Sequence, residues 1–146
     1  MRVIALEEHF TTEAFASNSA STAAIAQPGV WAEAVRQMLD TAQNRIGAMD
    51  RAGVDMQVLS LNSPGIQAEA DARSAVERAI AANDILAEIV ARRPDRFSGF
   101  AVLPLQDPEA AVRELERAIG ELGLKGAIVN AHSQGTYLDD PSLRIL

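Results

Sequence analysis

One pattern limits what this chain can become: a short apolar run followed by a longer stretch of helical periodicity, three times over and starting a fourth. The first run, Val3-Ile4-Ala5-Leu6, leads directly into Glu7, Glu8, His9 and Phe10. Residues 31–52 then repeat Val35, Met38, Leu39, Ala42, Ile46 and Met49 at three- and four-residue spacing, which predicts one helix closed by Gly53. A second strand is expected over 56–61, stopped by Asn62-Ser63-Pro64-Gly65, and a second helix over about 71–92. In that helix Val76, Ile80, Asn83, Ala87 and Val90 share one face, and Pro94 prevents continuation. The third strand is expected over 97–103. Asp107-Pro108 then reads as N-cap and first helical position of a helix carrying Ala111, Val112, Leu115, Ala118, Ile119 and Leu122. A fourth strand is expected over 126–130, then a polar loop, and Asp140-Pro141 begins another helical turn.

Parallel strands need a long crossover, and a helix is the usual one, so strand-then-helix repetition predicts an α/β fold with a parallel sheet under helices. Right-handed crossovers leave an open doubly wound sheet or a (β/α)8 barrel. No G-x-G-x-x-G turn follows the first strand and no G-x-x-x-x-G-K run occurs. The nucleotide-binding sheets lose weight, and part of a barrel gains it. The 146 residues suit a single domain over 1–146, with a long loop over 11–30 that has room for one helical turn. A formal charge of −7 argues against nucleic acid or anionic membrane as a partner. With no cysteine there is neither a disulfide framework nor a thiolate metal site. No leader pattern and no run of roughly 18 apolar residues is visible, so a soluble cytoplasmic protein is expected.

The chemistry gathers at the strand ends. Strict alternation along a strand sets Val3, Ala5, Glu7 and His9 on one face and Ile4, Leu6, Glu8 and Phe10 on the other. The first set ends in a carboxylate and an imidazole at the carboxyl end of the strand, where barrel enzymes place their reactive groups. Together Glu7 and His9 make half of a mixed oxygen and nitrogen site for a divalent metal. The plainer reading is of two polar residues leaving a strand. Glu8, of opposite parity, suits a structural or supporting role. Asn62 and Asn130 close the second and fourth strands, where each can face a pocket or simply cap a turn. Arg92, Arg93 and Arg96 belong to the opposite end of the strands, near a helix terminus and solvent.

V-I-A-L-E-E-H-F over residues 3–10 resembles the opening of the amidohydrolase-related decarboxylases. The likeness continues through L-S-L-N-S-P at 59–64, A-N-D at 82–84, R-P-D-R-F at 93–97 and L-P-L-Q-D-P at 103–108. It reaches Gly126-Ala127 and Val129-Asn130, and in order and spacing it resembles the γ-resorcylate branch. The resemblance implies the N-terminal half, about four β/α units, of a (β/α)8 barrel. It implies one divalent metal, zinc or manganese, with Glu7 and His9 among its ligands. It also implies a non-oxidative decarboxylase (a carboxy-lyase) of a hydroxylated aromatic acid, in a homo-oligomer. The remaining ligands and the proton donor would come from later strands, outside this sequence. Under that reading Asn62, Asn130 and Phe15 are candidates to touch the aromatic carboxylate, and Trp31 could also cover it, although packing is the commoner fate of such rings. At His132 the resemblance implies an aromatic position rather than a metal ligand.

A whole barrel takes about 250 residues. The expected half therefore leaves its first and fourth strands as edges and exposes apolar side chains meant for the interior. A piece of a longer enzyme, an association of two copies, or a non-catalytic half-barrel that binds something would each account for this. A hydrolase using the same metal to activate water is the near alternative in chemistry.

Overall fold

Parallel pairing does connect the apolar runs in series. The computed structural model describes residues 1–16 and 29–146, so most of the loop expected over 11–30 lies outside the described residues. Strand β1 (Ile4–Phe10) pairs in parallel with β2 (Met56–Leu61), and β2 with β3 (Phe97–Gly99). A second parallel pair joins β4 (Ala101–Val102) to β5 (Ala127–Ile128), and a small antiparallel hairpin follows, β6 (His132–Ser133) with β7 (Thr136–Tyr137). The single strand expected over 97–103 is thus divided at Phe100. The Phe100 N–H still donates to Leu59 O at 2.9 Å, while the Ala101 N–H donates to Gly126 O at 2.8 Å. The strand changes partner there, and this links all four strands in the order of a barrel wall.

The helices are α1 (Glu13–Ala16), α2 (Val30–Leu39), α3 (Gln43–Ala52), α4 (Ala72–Arg92) and α5 (Pro108–Gly120). The one helix expected over 31–52 is two. Asp40 ends the first with its side chain accepting from the Ala42 N–H at 2.9 Å, a local bond that competes with the helical ladder. Gly53 closes α3 in the left-handed conformation, as its position predicts. Asp107 caps α5 by accepting from the Ala110 N–H at 3.0 Å, with Pro108 at the first turn.

The buried helix faces differ from the expected ones. In α4 the buried residues are Ala75, Ala79, Ala82, Asn83, Leu86 and Ile89, so of the expected stripe only Asn83 is fully inside. Of the residues expected along α5, Ala111 and Ala118 are inside and Leu115 and Leu122 pack against the core, but Ala110 and Glu114 are buried too and Ile119 is exposed. Alanine lets a helix lie close on the sheet, and the larger side chains flank that contact line. Gly99 serves the same close approach: a Cβ there would lie 2.9 Å from Leu86 Cδ2 and 3.0 Å from Leu124 Cδ2.

A buried polar chain ties these helices to the sheet. The Asn83 amide donates to Val102 O at 3.0 Å and accepts from the Val102 N–H at 2.9 Å. The same Nδ2 donates to Glu114 Oε1 at 2.7 Å, and Arg117 donates to both Glu114 oxygens and to Asp84. Glu114 is thereby a buried charge with a charged partner and a neutral donor, which is what makes its burial tolerable. On the other face of the sheet Ile4 is 48% and Leu6 is 63% exposed, as expected for a barrel wall seen from its interior. Among the described residues no helix is long and apolar enough to cross a membrane.

Asn83→Ala removes the partners of both Val102 backbone groups and one partner of Glu114. Chemical denaturation of this variant is expected to show a loss of roughly 2–4 kcal/mol, the scale of a broken buried network. A change below measurement error would mean that water or relaxation replaces the amide.

Candidate metal-ligand site at the end of β1

The carboxyl end of β1 carries an extra residue. Ala5 lies opposite Gln57 and Glu8 opposite Leu59, so Leu6 and Glu7 together face the single Val58. Strict alternation fails at this bulge. Ala5, Glu8 and Phe10 share the face of Gln57, Leu59 and Leu61, which the helices cover. Ile4 and His9 share the open face with their register partners Met56 and Ser60. The expected grouping of Val3, Ala5, Glu7 and His9 is therefore corrected: Ala5 leaves that set for the covered face, and Ile4 parts from Glu8 and Phe10 for the open one.

Glu7 sits within the bulge at φ 60, the left-handed region that favours glycine. It is exposed, and no hydrogen bond or ion pair engages its carboxylate among the described residues. A side chain kept where glycine would be unstrained points to a use for that side chain. His9 is half-buried, with Nδ1 3.2 Å from the Oγ of the fully buried Ser60.

Behind the strand, on the helix side, Arg45 secures the His9 backbone. Its Nη2 donates to His9 O at 2.6 Å, its Nε to Asp40 O at 2.9 Å, and its Nη1 to Gln57 Oε1 at 3.4 Å. Gln57 in turn donates to Glu8 Oε2 at 3.1 Å. Burial pulls the Arg45 pKa below its ordinary value, against the opposing pull of Glu8 and Asp40. A guanidinium stays charged through such a shift, so Arg45 remains a multiple donor here. Glu8 accordingly takes a supporting place behind the strand.

The other candidates are placed apart from this pair or beside it through the backbone. Asn62 is buried just beyond β2, its N–H donating to Phe10 O at 3.0 Å and its amide to Ser63 O at 3.4 Å. Asn130 is half-buried and is held by Gln67, which accepts from its N–H at 2.8 Å and donates to its O at 2.6 Å. Gln67 also donates to His132 O at 3.0 Å, so one buried amide holds the start of the hairpin. The His132 ring is exposed, its Nδ1 accepting from the Gly135 N–H at 3.2 Å. Phe15 is buried in the core, with the Arg78 guanidinium 4.4 Å from its ring centroid. Trp31 is half-buried. Arg96, bound to Asp50 at 2.8 Å and to Asp55 O at 3.0 Å, lies at the far end of the strands, and Arg92 and Arg93 form exposed pairs with Glu88 and Asp95.

Ser60, Arg45 and Gln67 escaped the sequence reading. Ser60 left one trace there, a hydroxyl in an otherwise apolar stretch of strand. Among the described residues no group of three or more His, Asp or Glu side chains is placed to hold a metal ion. The structure thus places one carboxylate, Glu7, and one imidazole, His9, near the carboxyl end of β1.

The amidohydrolase family profile matches residues 9–145. A γ-resorcylate decarboxylase of Polaromonas sp. is 50% identical over 131 residues, which cover 90% of this chain and 39% of that one. A crystal structure of 2,6-dihydroxybenzoate decarboxylase complexed with 2,6-dihydroxybenzoate superposes with a TM-score of 0.91 at 43% identity, covering 99% of this chain and 46% of that one. The dihydroxybenzoic acid decarboxylase of Polaromonas sp., solved with bound manganese and the inhibitor 2-nitroresorcinol, gives 0.90 at 46% identity, over 98% and 44% of the two chains. The chain spans less than half the length of these relatives. Strand order, helix cover and sequence agree over nearly its whole length, and the chain belongs to the amidohydrolase family.

Proposed function

We propose that this chain forms the metal-ligating first half of a non-oxidative decarboxylase acting on a hydroxylated aromatic acid. The observation that carries the reading is the β1 bulge, which keeps an unengaged carboxylate at Glu7 and a buttressed imidazole at His9 at the carboxyl end of a barrel strand. The 50% identity to a γ-resorcylate decarboxylase supports the same chemistry.

The donor set fits a divalent ion such as manganese or zinc: one hard oxygen, one imidazole nitrogen, no thiolate. A bound ion would anchor the carboxylate and a neighbouring phenolic oxygen of the acid and so orient the ring. Glu7 contributes one negative charge and a ligating imidazole none, so these two residues would offset only half of a divalent ion's charge. Arg45, on the covered side, holds the His9 peptide without placing its own charge on the open face. The proton that replaces carbon dioxide on the ring carbon must come from a group beyond these residues. The further ligands must as well.

Two experiments test the reading. Glu7→Gly and His9→Ala should each weaken Mn2+ binding by about tenfold or more in a titration followed by electron paramagnetic resonance, the scale on which metal sites respond to lost support. Relief of the left-handed backbone should leave the stability of Glu7→Gly unchanged or raised by up to about 1 kcal/mol. Equal Mn2+ affinity in all three proteins removes Glu7 and His9 as ligands. For the reaction, this chain can replace the first half of the Polaromonas decarboxylase. The chimera should release carbon dioxide from 2,6-dihydroxybenzoate without added oxidant. A folded, metal-loaded chimera that releases none, but cleaves an ester or amide panel, assigns the chain to hydrolysis instead.

A further inference from the structure

Two partners hold His9, one on each side of the sheet. Arg45 fixes its peptide carbonyl at 2.6 Å from the covered face, and Ser60 lies 3.2 Å from Nδ1 on the open face. His9 and Ser60 are register partners in the β1–β2 pair, so their side chains leave the sheet in the same direction. Ser60 is fully buried, and His9 is the side chain within hydrogen-bond distance of its hydroxyl among the described residues. Burying a hydroxyl in a strand is costly unless it is bonded, so the position carries a constraint that alanine would avoid.

We infer that Ser60 is a positioning residue for His9: its Oγ accepts a hydrogen bond from Nδ1–H and thereby presents Nε2, unprotonated, to the open face. The inference rests on the reading of His9 as a metal ligand. A hydroxyl can donate or accept, and the ring must match it. Were Ser60 to donate to Nδ1, the neutral ring would carry its proton on Nε2 and offer no lone pair there. A ligating histidine needs its other nitrogen protonated and held, and a neighbouring acceptor decides which nitrogen that is. Arg45 adds a second constraint by fixing the His9 peptide, so that the ring starts from a fixed point beside Ser60. His132 provides a contrast within the chain. Its Nδ1 accepts from the Gly135 N–H, so its proton sits on Nε2.

The test is long-range 1H–15N correlation on the full chain, labelled with 15N-histidine and free of metal, with both rings neutral. The two histidines should show opposite tautomers, His9 protonated on Nδ1 and His132 on Nε2. In Ser60→Ala the His9 tautomer ratio should fall about tenfold towards the His132 pattern, the effect of one hydrogen bond. Ser60→Thr, which keeps the hydroxyl, should restore it, and Ser60→Cys, close in size but a poor acceptor, should behave like alanine. His132 reports in every spectrum that the chain is folded. An Nε2-protonated His9 in the unaltered chain, or a ratio that Ser60→Ala leaves unchanged, overturns the inference. Adding Zn2+ separates the two ideas. The expected tautomer with no Zn2+ response at Nε2 sustains the role of Ser60 and overturns only the metal reading.

Discussion

The bulge in β1 is the constraint on which the site depends. Two residues stand against one between Ala5 and Glu8, and the alternation of side chains resets at that point. Were the same residues to alternate strictly, with no bulge, Glu8 and Phe10 would share the open face with Ile4, and His9 would turn under the helices. With it, the apolar start of the strand and its polar end both meet the surroundings they need. Phe10 enters the core, Glu8 meets Gln57, and His9 meets Ser60. The left-handed backbone at Glu7 is the local cost of that reset.

Much of the fold was legible in the chain. The strand-and-helix alternation, the Gly53 stop and the Asp107-Pro108 start all follow from local rules, and the structure shows each of them. Helix faces were less legible. Periodicity weighs large apolar residues most, yet Ala75, Ala79, Ala82 and Ala118 make the close contacts while Ile80 and Ile119 stand outside. Glu114 lies on the buried side because Asn83 and Arg117 meet it there, a partnership across 31 residues that no local window contains. The helix break at Asp40 was hidden for a related reason. The apolar stripe runs straight through it, and only the Asp40 side chain bonding back to Ala42 reveals the turn.

At the site, E-x-H was visible as a pair of residue types, but its geometry was not. Alternation alone assigned one wrong companion, Ala5, to Glu7 and His9, because a bulge is a property of two strands compared and not of one strand read alone. Ser60 and Arg45 act on His9 only once β1 and β2 are in register and α3 is folded back against them. The family likeness, by contrast, was carried by short motifs whose order survives in one dimension. It could therefore be read from the sequence, whereas the supports of the pair could not.

The Gln67 amide has a consequence for how the mouth of the wall breathes. One side chain holds the N–H and the carbonyl of Asn130 and the carbonyl of His132, while Gln134 donates to the Gln67 carbonyl at 3.0 Å. The turn after β2 and the β6–β7 hairpin are therefore latched by a reciprocal clasp, not by a strand ladder. Segments joined in this way come apart as one cooperative unit when they open. Solvent exchange at the Asn130 amide thus reports an event shared by residues more than sixty positions apart.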